Sequence, residues 1–232
     1  RPLLGTIRDD GLRQYRTGLV ALARKNGKSE IVAGVGLKLL FSDGEPGAEI
    51  YSAAADKDQA SIVFNVAWQM VEANPVLRKR SKRYRSKVIE VPSTGNIYRA
   101  ISADAFGKHG MNAHGVLFDE VHTQKTRELW DVLTTSTGAR EQPLVLAITT
   151  AGYDRQSICF ELWDYAEKVL AGVIDDPTFF AYIRSTPKDA DWRDEKGWHL
   201  ANPALKTFRN IEEMRDLAKR AEHTPALQNT FR

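Results

Sequence analysis

Apolar residues along the first 150 positions follow two different periods. Short apolar runs at 17–23, 48–53, 115–118 and 144–149 are typical of buried strands, whereas 30–41, 56–72 and 125–135 repeat apolar residues at helical spacing. At 88–101 the turn Pro92-Ser93-Thr94-Gly95 separates two short strands and predicts a hairpin. Strands that alternate with helices predict an α/β fold, with a mainly parallel sheet flanked by helices on both faces.

The pattern changes after residue 152. A helix at 157–170, a strand at 179–184, a connection containing Trp192 and Trp198, and a helix at 210–222 are predicted there. We therefore divide the chain into a core at 1–175 and a small helical linker or lid segment at 176–232. Because the chain begins with Arg1 and stops without a structural terminator, we expect an excised piece of a longer polypeptide, truncated at its N-terminus.

Composition narrows the class of protein. The chain has 232 residues, of which 42% are hydrophobic and 27% charged, as in ordinary soluble globular proteins. Its single cysteine, Cys159, excludes an intramolecular disulfide and a zinc cluster built from cysteines, and it favours a reducing, cytosolic setting. The net charge of +3 is by itself only a weak indication of nucleic acid binding.

The first chemical motif lies between a predicted strand and a predicted helix. Gly27-Lys28-Ser29 occurs where backbone N–H groups and a helix N-terminus can surround a phosphate. In that setting Lys28 binds the β and γ phosphates of ATP, and Ser29 binds Mg²⁺. Leu22 occupies the position of the leading glycine in the G-x-x-x-x-G-K-[ST] pattern. The tripeptide alone is therefore also compatible with a solvated basic turn.

Polar residues also follow the strands at 115–118 and 144–149. Asp119 can hold Mg²⁺ through water, while the adjacent Glu120 can orient and deprotonate an attacking water. Thr149 and Thr150 open the turn after the next strand, where a hydroxyl can sense the γ-phosphate. Because the carboxyl ends of parallel strands share one sheet edge, these groups are expected near the phosphate loop. Their order and context predict a P-loop enzyme that hydrolyses Mg-ATP.

In combination the motifs resemble the ATPase domain of large terminase subunits, the motors that package double-stranded DNA into the capsids of tailed bacteriophages. The resemblance spans about residues 17 to 155 and rests on R-K-N-G-K-S at 24–29, S-A-A-A-D-K-D-Q-A at 52–60, G-V-L-F-D-E-V-H at 115–122, and L-T-T-S-T-G-A-R with I-T-T-A-G-Y-D between 133 and 154. It implies a RecA-like, ASCE-type P-loop fold. In that family an arginine in the phosphate loop, here Arg24, is a hallmark that takes the place of the missing glycine pattern.

The resemblance also implies roles for individual residues. ATP is expected to bind the turn formed by Arg24, Lys25, Asn26, Gly27, Lys28 and Ser29. Mg²⁺ is expected on Ser29 and Asp119, with Glu120 as the catalytic base and with Thr149 and Thr150 as the coupling element. The family's glutamine motif for adenine has only Gln14 as a poor counterpart, and its nuclease domain is not expected in this piece.

Ring motors of this kind use an arginine from a neighbouring subunit to stabilise charge on the transferring phosphate. Arg140 is our first choice for that catalytic role, and Arg127 is a second. Lys108 and His109 stand where the family often has a basic residue. We treat all five histidines as incidental.

The function implied is a motor domain that translocates double-stranded DNA in the host cytoplasm, at the portal of the procapsid. A homo-oligomeric ring, a pentamer by resemblance, and contacts with the portal protein and the small terminase subunit follow from the same comparison. The basic stretch at 78–87 carries seven Lys or Arg residues and is expected either to contact DNA phosphates or to be a solvated loop. Two alternatives stay open: another P-loop DNA motor such as a helicase, and a nucleotide-binding module that is inactive in isolation.

Overall fold

The computed structural model describes residues 2–102, 110–124, 127–150, 157–187 and 189–231, and within these ranges the chain forms one eight-stranded sheet with flanking helices. The strands are β1 Thr17–Ala21, β2 Glu49–Ala54, β3 Lys82–Tyr84, β4 Val88–Val91, β5 Asn96–Ser102, β6 Ala113–Phe118, β7 Leu144–Thr149 and β8 Phe179–Ile183. The helices are α1 Pro2–Gly5, α2 Lys28–Ser42, α3 Lys57–Ala73, α4 Pro75–Arg80, α5 Glu128–Thr135, α6 Ile158–Leu170, α7 Glu195–Ala201, α8 Ile211–Glu222 and α9 Pro225–Phe231. Short 3₁₀ turns lie at Val121–Thr123 and Pro203–Lys206.

The sheet has the order β3-β4-β5-β2-β6-β7-β1-β8. The pairs from β5 to β8 are parallel, and the hairpin of β4 with β5 and the edge strand β3 are antiparallel. This confirms the predicted mainly parallel α/β sheet. Since β7 lies between β1 and β6, the loop after β1 and the acids after β6 leave the same sheet edge one strand apart.

Two hydrophobic clusters cover the two faces of the sheet. In β1 the fully buried Leu19 joins the cluster that includes α5 and α6, while the next residue, Val20, joins the cluster that includes α2 and α3. In β6 the same alternation sends Leu117 to the α2 face and Phe118 to the α5 face. Strands that bury side chains on both faces read as continuous apolar runs, which is why they were predicted as buried.

Helix α2 packs unusually close to β6. A Cβ atom on Gly36 of α2 would lie 2.8 Å from Cδ1 of Leu117, and one on Gly115 of β6 would lie 2.6 Å from Cδ1 of Leu39. The missing side chains let two buried leucines fill the space between helix and strand. This contact fixes the helix that begins at the phosphate loop against the strand that carries the acids.

The end of the chain differs from the predicted division at residue 175. β8 pairs in parallel with β1 from Thr17↔Phe179 to Ala21↔Ile183, so the core sheet extends beyond residue 175. The part after β8 has a small core of its own, built from Trp198, Met214 and Ala218. None of the helices in the described ranges has the length and apolar character needed to cross a membrane.

The basic stretch is more ordered than a solvated loop. It forms α4 and the edge strand β3, and several of its arginines lie on aromatic rings. The Arg78 and Arg83 guanidinium carbons are each 5.2 Å from the centre of the Trp68 ring, and that of Arg80 is 5.4 Å from the centre of Phe41. In these cation–π contacts the arginine side chains pack on aromatic rings of α2 and α3.

A buried ion cluster closes the amino edge of the sheet. The Arg13 guanidinium, 3% exposed, donates hydrogen bonds of 3.2 Å to the Asp43 carboxylate. His114 Nε2, in a fully buried ring, lies 2.7 Å from Asp43 Oδ2, and Lys38 also pairs with this carboxylate. Burial works to raise the pKa of Asp43, but these partners outweigh it and hold the pKa well below its usual range.

We expect Asp43→Asn to lower the free energy of unfolding at pH 7 by about 3–5 kcal/mol, because it leaves Arg13 buried without its counter-charge. The depressed pKa means that this stability is present above the unfolded pKa of 3.8 and is lost as the pH falls below it. Urea denaturation at pH 7 and at acid pH measures both effects. The control is Asp10→Asn in the exposed Arg8–Asp10 pair, expected to cost about 0–1 kcal/mol. Equal losses in the two variants would contradict the assignment.

Candidate functional site

The loop between β1 and α2 presents backbone N–H groups at the carboxyl edge of the sheet. Gly27 caps α2 with φ 71° and ψ 27°, a left-handed conformation that glycine adopts without strain, and Lys25 has φ 60°. The first N–H groups of a helix have no partner within it, so those of Lys28 and Ser29 are free to bind an anion. The turn that the sequence predicts to bind phosphate therefore lies directly before a helix N-terminus, and its binding role stays a prediction.

Lys28 connects this loop to the acids after β6. Its side chain is 7% exposed, and its ammonium donates to the carbonyl oxygens of Leu22 (3.3 Å) and Ala23 (3.4 Å). Its Nζ atom lies 3.5 Å from Oε1 of Glu120. The structure thus brings together the two motifs that the sequence places some 90 residues apart.

Asp119 is the more buried of the two acids. It is 2% exposed, and its Oδ1 atom has no hydrogen-bond partner among the residues that the structure describes. Burial and the neighbouring charge of Glu120 raise the pKa of Asp119 from 3.8 to about 6, against the opposing effect of Lys28. A buried carboxylate oxygen without a hydrogen-bond partner destabilises the fold unless a cation or a hydrogen-bond donor binds to it.

Glu120 stays charged at neutral pH. Its backbone has φ 47°, which turns the side chain back toward the loop, and its Oε2 accepts a hydrogen bond of 3.2 Å from the Thr150 backbone N–H. Burial works to raise the pKa of Glu120, but His122, Lys28 and the Thr150 N–H outweigh it and lower the pKa. The two adjacent acids therefore differ in pKa. The pKa of Asp119 is raised, so it binds a proton more readily, whereas the pKa of Glu120 is lowered, so it stays ionised.

His122 connects Glu120 to Thr149, a contact that sequence reasoning missed because it treated the histidine as incidental. Its Nδ1 lies 3.2 Å from Oε2 of Glu120 and 3.0 Å from Oγ1 of Thr149. The Thr149 hydroxyl in turn donates to the Thr150 carbonyl at 2.7 Å. The sequence did hold a signal for this contact, because His122 follows Glu120 by only two residues. His122 lies in a short 3₁₀ turn of which Glu120 is the N-cap.

Asn26 anchors the end of the chain to the phosphate loop. Its amide donates to Oδ1 of Asn202 at 3.0 Å and accepts from the Ala204 backbone N–H at 3.0 Å. It also donates to the carbonyls of Ala23 and Arg24 within its own loop. All these bonds use the amide group of Asn26, so this residue shapes the loop.

The two basic residues at the start of the turn are exposed. Lys25 Nζ lies 3.0 Å from Glu213 on α8, and Arg209 NH1 donates to the Arg24 carbonyl at 3.4 Å. Both contacts add to the connection between the loop and the segment after β8. No residue in that segment was assigned to the site from the sequence.

The arginine expected to act on phosphate is not brought to this site. Arg140 lies before β7, at the amino edge of the sheet, with an 8% exposed side chain. Its guanidinium donates to the carbonyls of Asn112 (2.9 Å) and Gly47 (2.7 Å) and pairs with Glu45. These bonds hold Arg140 within the fold of its own subunit, and its role in trans stays a prediction.

Arg127 lies on the side of the sheet edge that carries the acids. It is exposed and pairs with Asp131 and Glu161. Lys108 and His109 lie outside the described residues.

Comparisons with known proteins agree on a family. A model of the ATPase domain of the terminase large subunit matches residues 3–168. The terminase large subunit of Enterobacteria phage HK97 is 35% identical over 222 residues, covering 92% of this chain and 42% of that protein. The crystal structure of the HK97 large terminase superposes with a TM-score of 0.83 at 31% identity, covering 94% of this chain and 45% of that one.

More distant structures support the fold. The ATPase domain of the Thermus phage P74-26 large terminase gives a TM-score of 0.59 at 16% identity, with 90% of this chain and 92% of that chain covered. A large terminase of a thermophilic bacteriophage, solved in complex with ADP, gives 0.51 at 12% identity, with 72% and 40% covered. The chain spans less than half the length of the HK97 protein.

The raised pKa of Asp119 predicts a stability that depends on pH in the absence of ligands. The pKa of Asp119 is higher in the folded chain than the value of 3.8 in the unfolded chain. Its contribution to the free energy of unfolding is therefore fully present below about pH 4 and is lost as the pH rises through about 6. We expect Asp119→Asn to increase the free energy of unfolding at pH 8 by about 2–3 kcal/mol and to change it little at pH 4. Urea denaturation at the two pH values, without Mg²⁺ or nucleotide, measures this.

The matched control is Asp164→Asn in the exposed Lys168–Asp164 pair, expected to change stability by about 0–1 kcal/mol at pH 8. A loss of stability on replacing Asp119 at pH 8 would show that its charge is compensated in the fold.

Proposed function

Because this chain belongs to the family of terminase large subunit ATPase domains, we propose that it is the ATP-hydrolysing part of a motor that moves double-stranded DNA into a viral capsid. The observation that carries the proposal is the 3.5 Å approach of Lys28 Nζ to Glu120 Oε1. It puts the cation of the phosphate loop beside the acid that can activate water, at one edge of the sheet. A nucleotide on the loop therefore has its terminal phosphate next to that acid.

The phosphate side of the reaction belongs to the loop. Backbone N–H groups from Gly27 to Ser29 and the N-terminus of α2 bind the phosphate oxygens. The Lys28 ammonium, now held by two loop carbonyls, exchanges these weak contacts for the charged β and γ phosphates. Arg24, Lys25 and Asn26 support the loop, and Asn26 does so through its contacts with Asn202 and Ala204.

The donor set fits Mg²⁺. Ser29 supplies a hydroxyl and Asp119 a carboxylate, both of them the hard oxygen ligands that this ion prefers. The unpartnered Oδ1 of Asp119 is an oxygen that a cation would satisfy. Ser29 and Asp119 would hold the ion, which would supply neutralisation of the charge that develops in phosphoryl transfer.

Glu120 is the proposed base. Its lowered pKa keeps it ionised at neutral pH, so that it can accept the proton of the attacking water. The Thr150 N–H and His122 fix the orientation of this carboxylate. Since Thr150 and Thr149 contact Glu120 and His122 directly, a change at the γ-phosphate can reach the segment after β7, which supports the proposed coupling role.

Partners follow from the motor proposal. Duplex DNA is the polymer moved, and the exposed part of the basic stretch at 78–87 is its proposed contact. A ring of identical subunits supplies the arginine that acts in trans, for which the exposed Arg127 replaces Arg140. The portal protein and the small terminase subunit complete the proposed assembly.

The proposal predicts separable effects on ATP binding and turnover. Glu120→Gln should lower the rate of hydrolysis by at least about 10²-fold, since it removes the base, and should leave Mg-ATP affinity nearly unchanged. Lys28→Ala should lose affinity and turnover together. Single-turnover hydrolysis with the chain in excess over radiolabelled Mg-ATP, together with titration calorimetry, separates the two quantities.

The control is Lys168→Ala, an exposed lysine of α6 paired only with Asp164 among the described residues, which should behave like the unsubstituted chain. Full turnover by Glu120→Gln would rule out Glu120 as the base. Binding without turnover at every chain concentration would favour a non-hydrolysing nucleotide module. ATP-dependent strand separation on a forked duplex would favour a helicase.

A further inference from the structure

A cavity opens beside the turn at residues 25–27. It has a volume of about 570 Å³ and is lined by Lys25, Asn26, Gly27, Glu30, Ile31 and Phe208. This volume lies in the range of roughly 300–1,000 Å³ that is usual for small-molecule sites. Except for Phe208, the lining comes from the loop and the first turn of α2.

Two apolar side chains of this lining are left uncovered. Phe208 is 70% exposed and Ile31 is 48% exposed. The Phe208 ring reaches to 3.5 Å from the position of a Cβ on Gly27, so it stands directly against the phosphate loop. An exposed aromatic ring in this place offers a face that a planar apolar group can cover.

The segment that carries Phe208 is fixed to the loop on both sides of the ring. Before it, Asn202 and Ala204 bond to Asn26. After it, Arg209 donates to the Arg24 carbonyl and also to Oδ1 of Asn202. The ring is therefore a preorganised surface, which lowers the entropic cost of binding to it.

Gln14, the poor counterpart of the family's glutamine motif for adenine, does not lie near this cavity. Gln14 precedes β1, and so stands at the amino edge of the sheet, where its amide donates to the Pro177 carbonyl at 2.7 Å. A nucleotide whose phosphates lie on Gly27 to Ser29 must place its base beyond the loop. The cavity at Phe208 is the space there that combines apolar walls with a carboxylate, that of Glu30.

We propose that Phe208 and Ile31 form the base subsite of the nucleotide site, with the purine stacked on the Phe208 ring. The inference rests on the proposed ATPase function and adds a segment of the chain that the sequence motifs do not contain. Stacking needs only the face of the base, so this subsite favours a nucleoside triphosphate over bare triphosphate. Glu30 is the acceptor available to the ribose hydroxyls.

The test compares two ligands that share the triphosphate and differ in the nucleoside. The Kd values of Mg-ATP and of inorganic tripolyphosphate with Mg²⁺ are measured for the 232-residue chain and for Phe208→Ala. We expect Phe208→Ala to weaken ATP binding on the order of 10-fold and to change tripolyphosphate binding by less than about 2-fold. Phe208→Tyr, which keeps the ring, should bind ATP like the unsubstituted chain.

The control is Val173→Ala, whose side chain, 73% exposed, is as open to solvent as that of Phe208. It should change neither affinity. Unchanged ATP binding by Phe208→Ala would overturn the base subsite, and so would an equal loss for both ligands, which would indicate a general effect on the loop. If the unsubstituted chain binds ATP no better than Lys28→Ala does, the proposed function itself fails.

Discussion

The site depends on the contacts that compensate the positive charge of Lys28. An ammonium group that is 7% exposed must be compensated, and the compensation comes from Glu120 and the carbonyls of its own loop. The positive charge of Lys28 also favours the ionised form of Asp119, and it therefore limits how far burial raises the pKa of that residue. Lys28 therefore links the loop to Glu120, and His122 and Lys28 together lower the pKa of Glu120.

The fold makes this arrangement possible through strand order. A loop after β1 and acids after β6 can meet because parallel strands share their carboxyl edge and only β7 separates them. The tight contact of Gly36 and Gly115 with buried leucines fixes α2 against β6, so the loop and the acids keep their spacing. The buried cluster of Arg13 with Asp43 closes the opposite edge and has no direct part in the chemistry.

Local patterns predicted what depends on neighbours in sequence. The strand at 144–149, the helix at 56–72 and the hairpin at 88–101 all agree with the structure, since each follows from residues a few positions apart. The turn at 24–29 and the acids at 119 and 120 were placed correctly after strands, because the apolar runs before them are clear in the sequence, and their chemical roles stay predictions. The surroundings of Arg140 were not predicted, because sequence position between two motifs does not reveal which sheet edge a side chain occupies. The contacts of Asn26 with Asn202 and Ala204, of His122 with Glu120 and Thr149, and of Phe208 with Gly27 were not predicted, because each joins residues from different elements or from distant segments of the chain.

The close packing of α2 on β6 also limits which substitutions the sequence can accept at this contact. The space that Gly36 leaves is filled by Leu117, and the space that Gly115 leaves is filled by Leu39. A larger residue at either glycine is therefore tolerated only with a smaller one at its leucine. Each glycine and its leucine form a volume-matched pair, one member on the helix and the other on the strand, and relatives should exchange the two together.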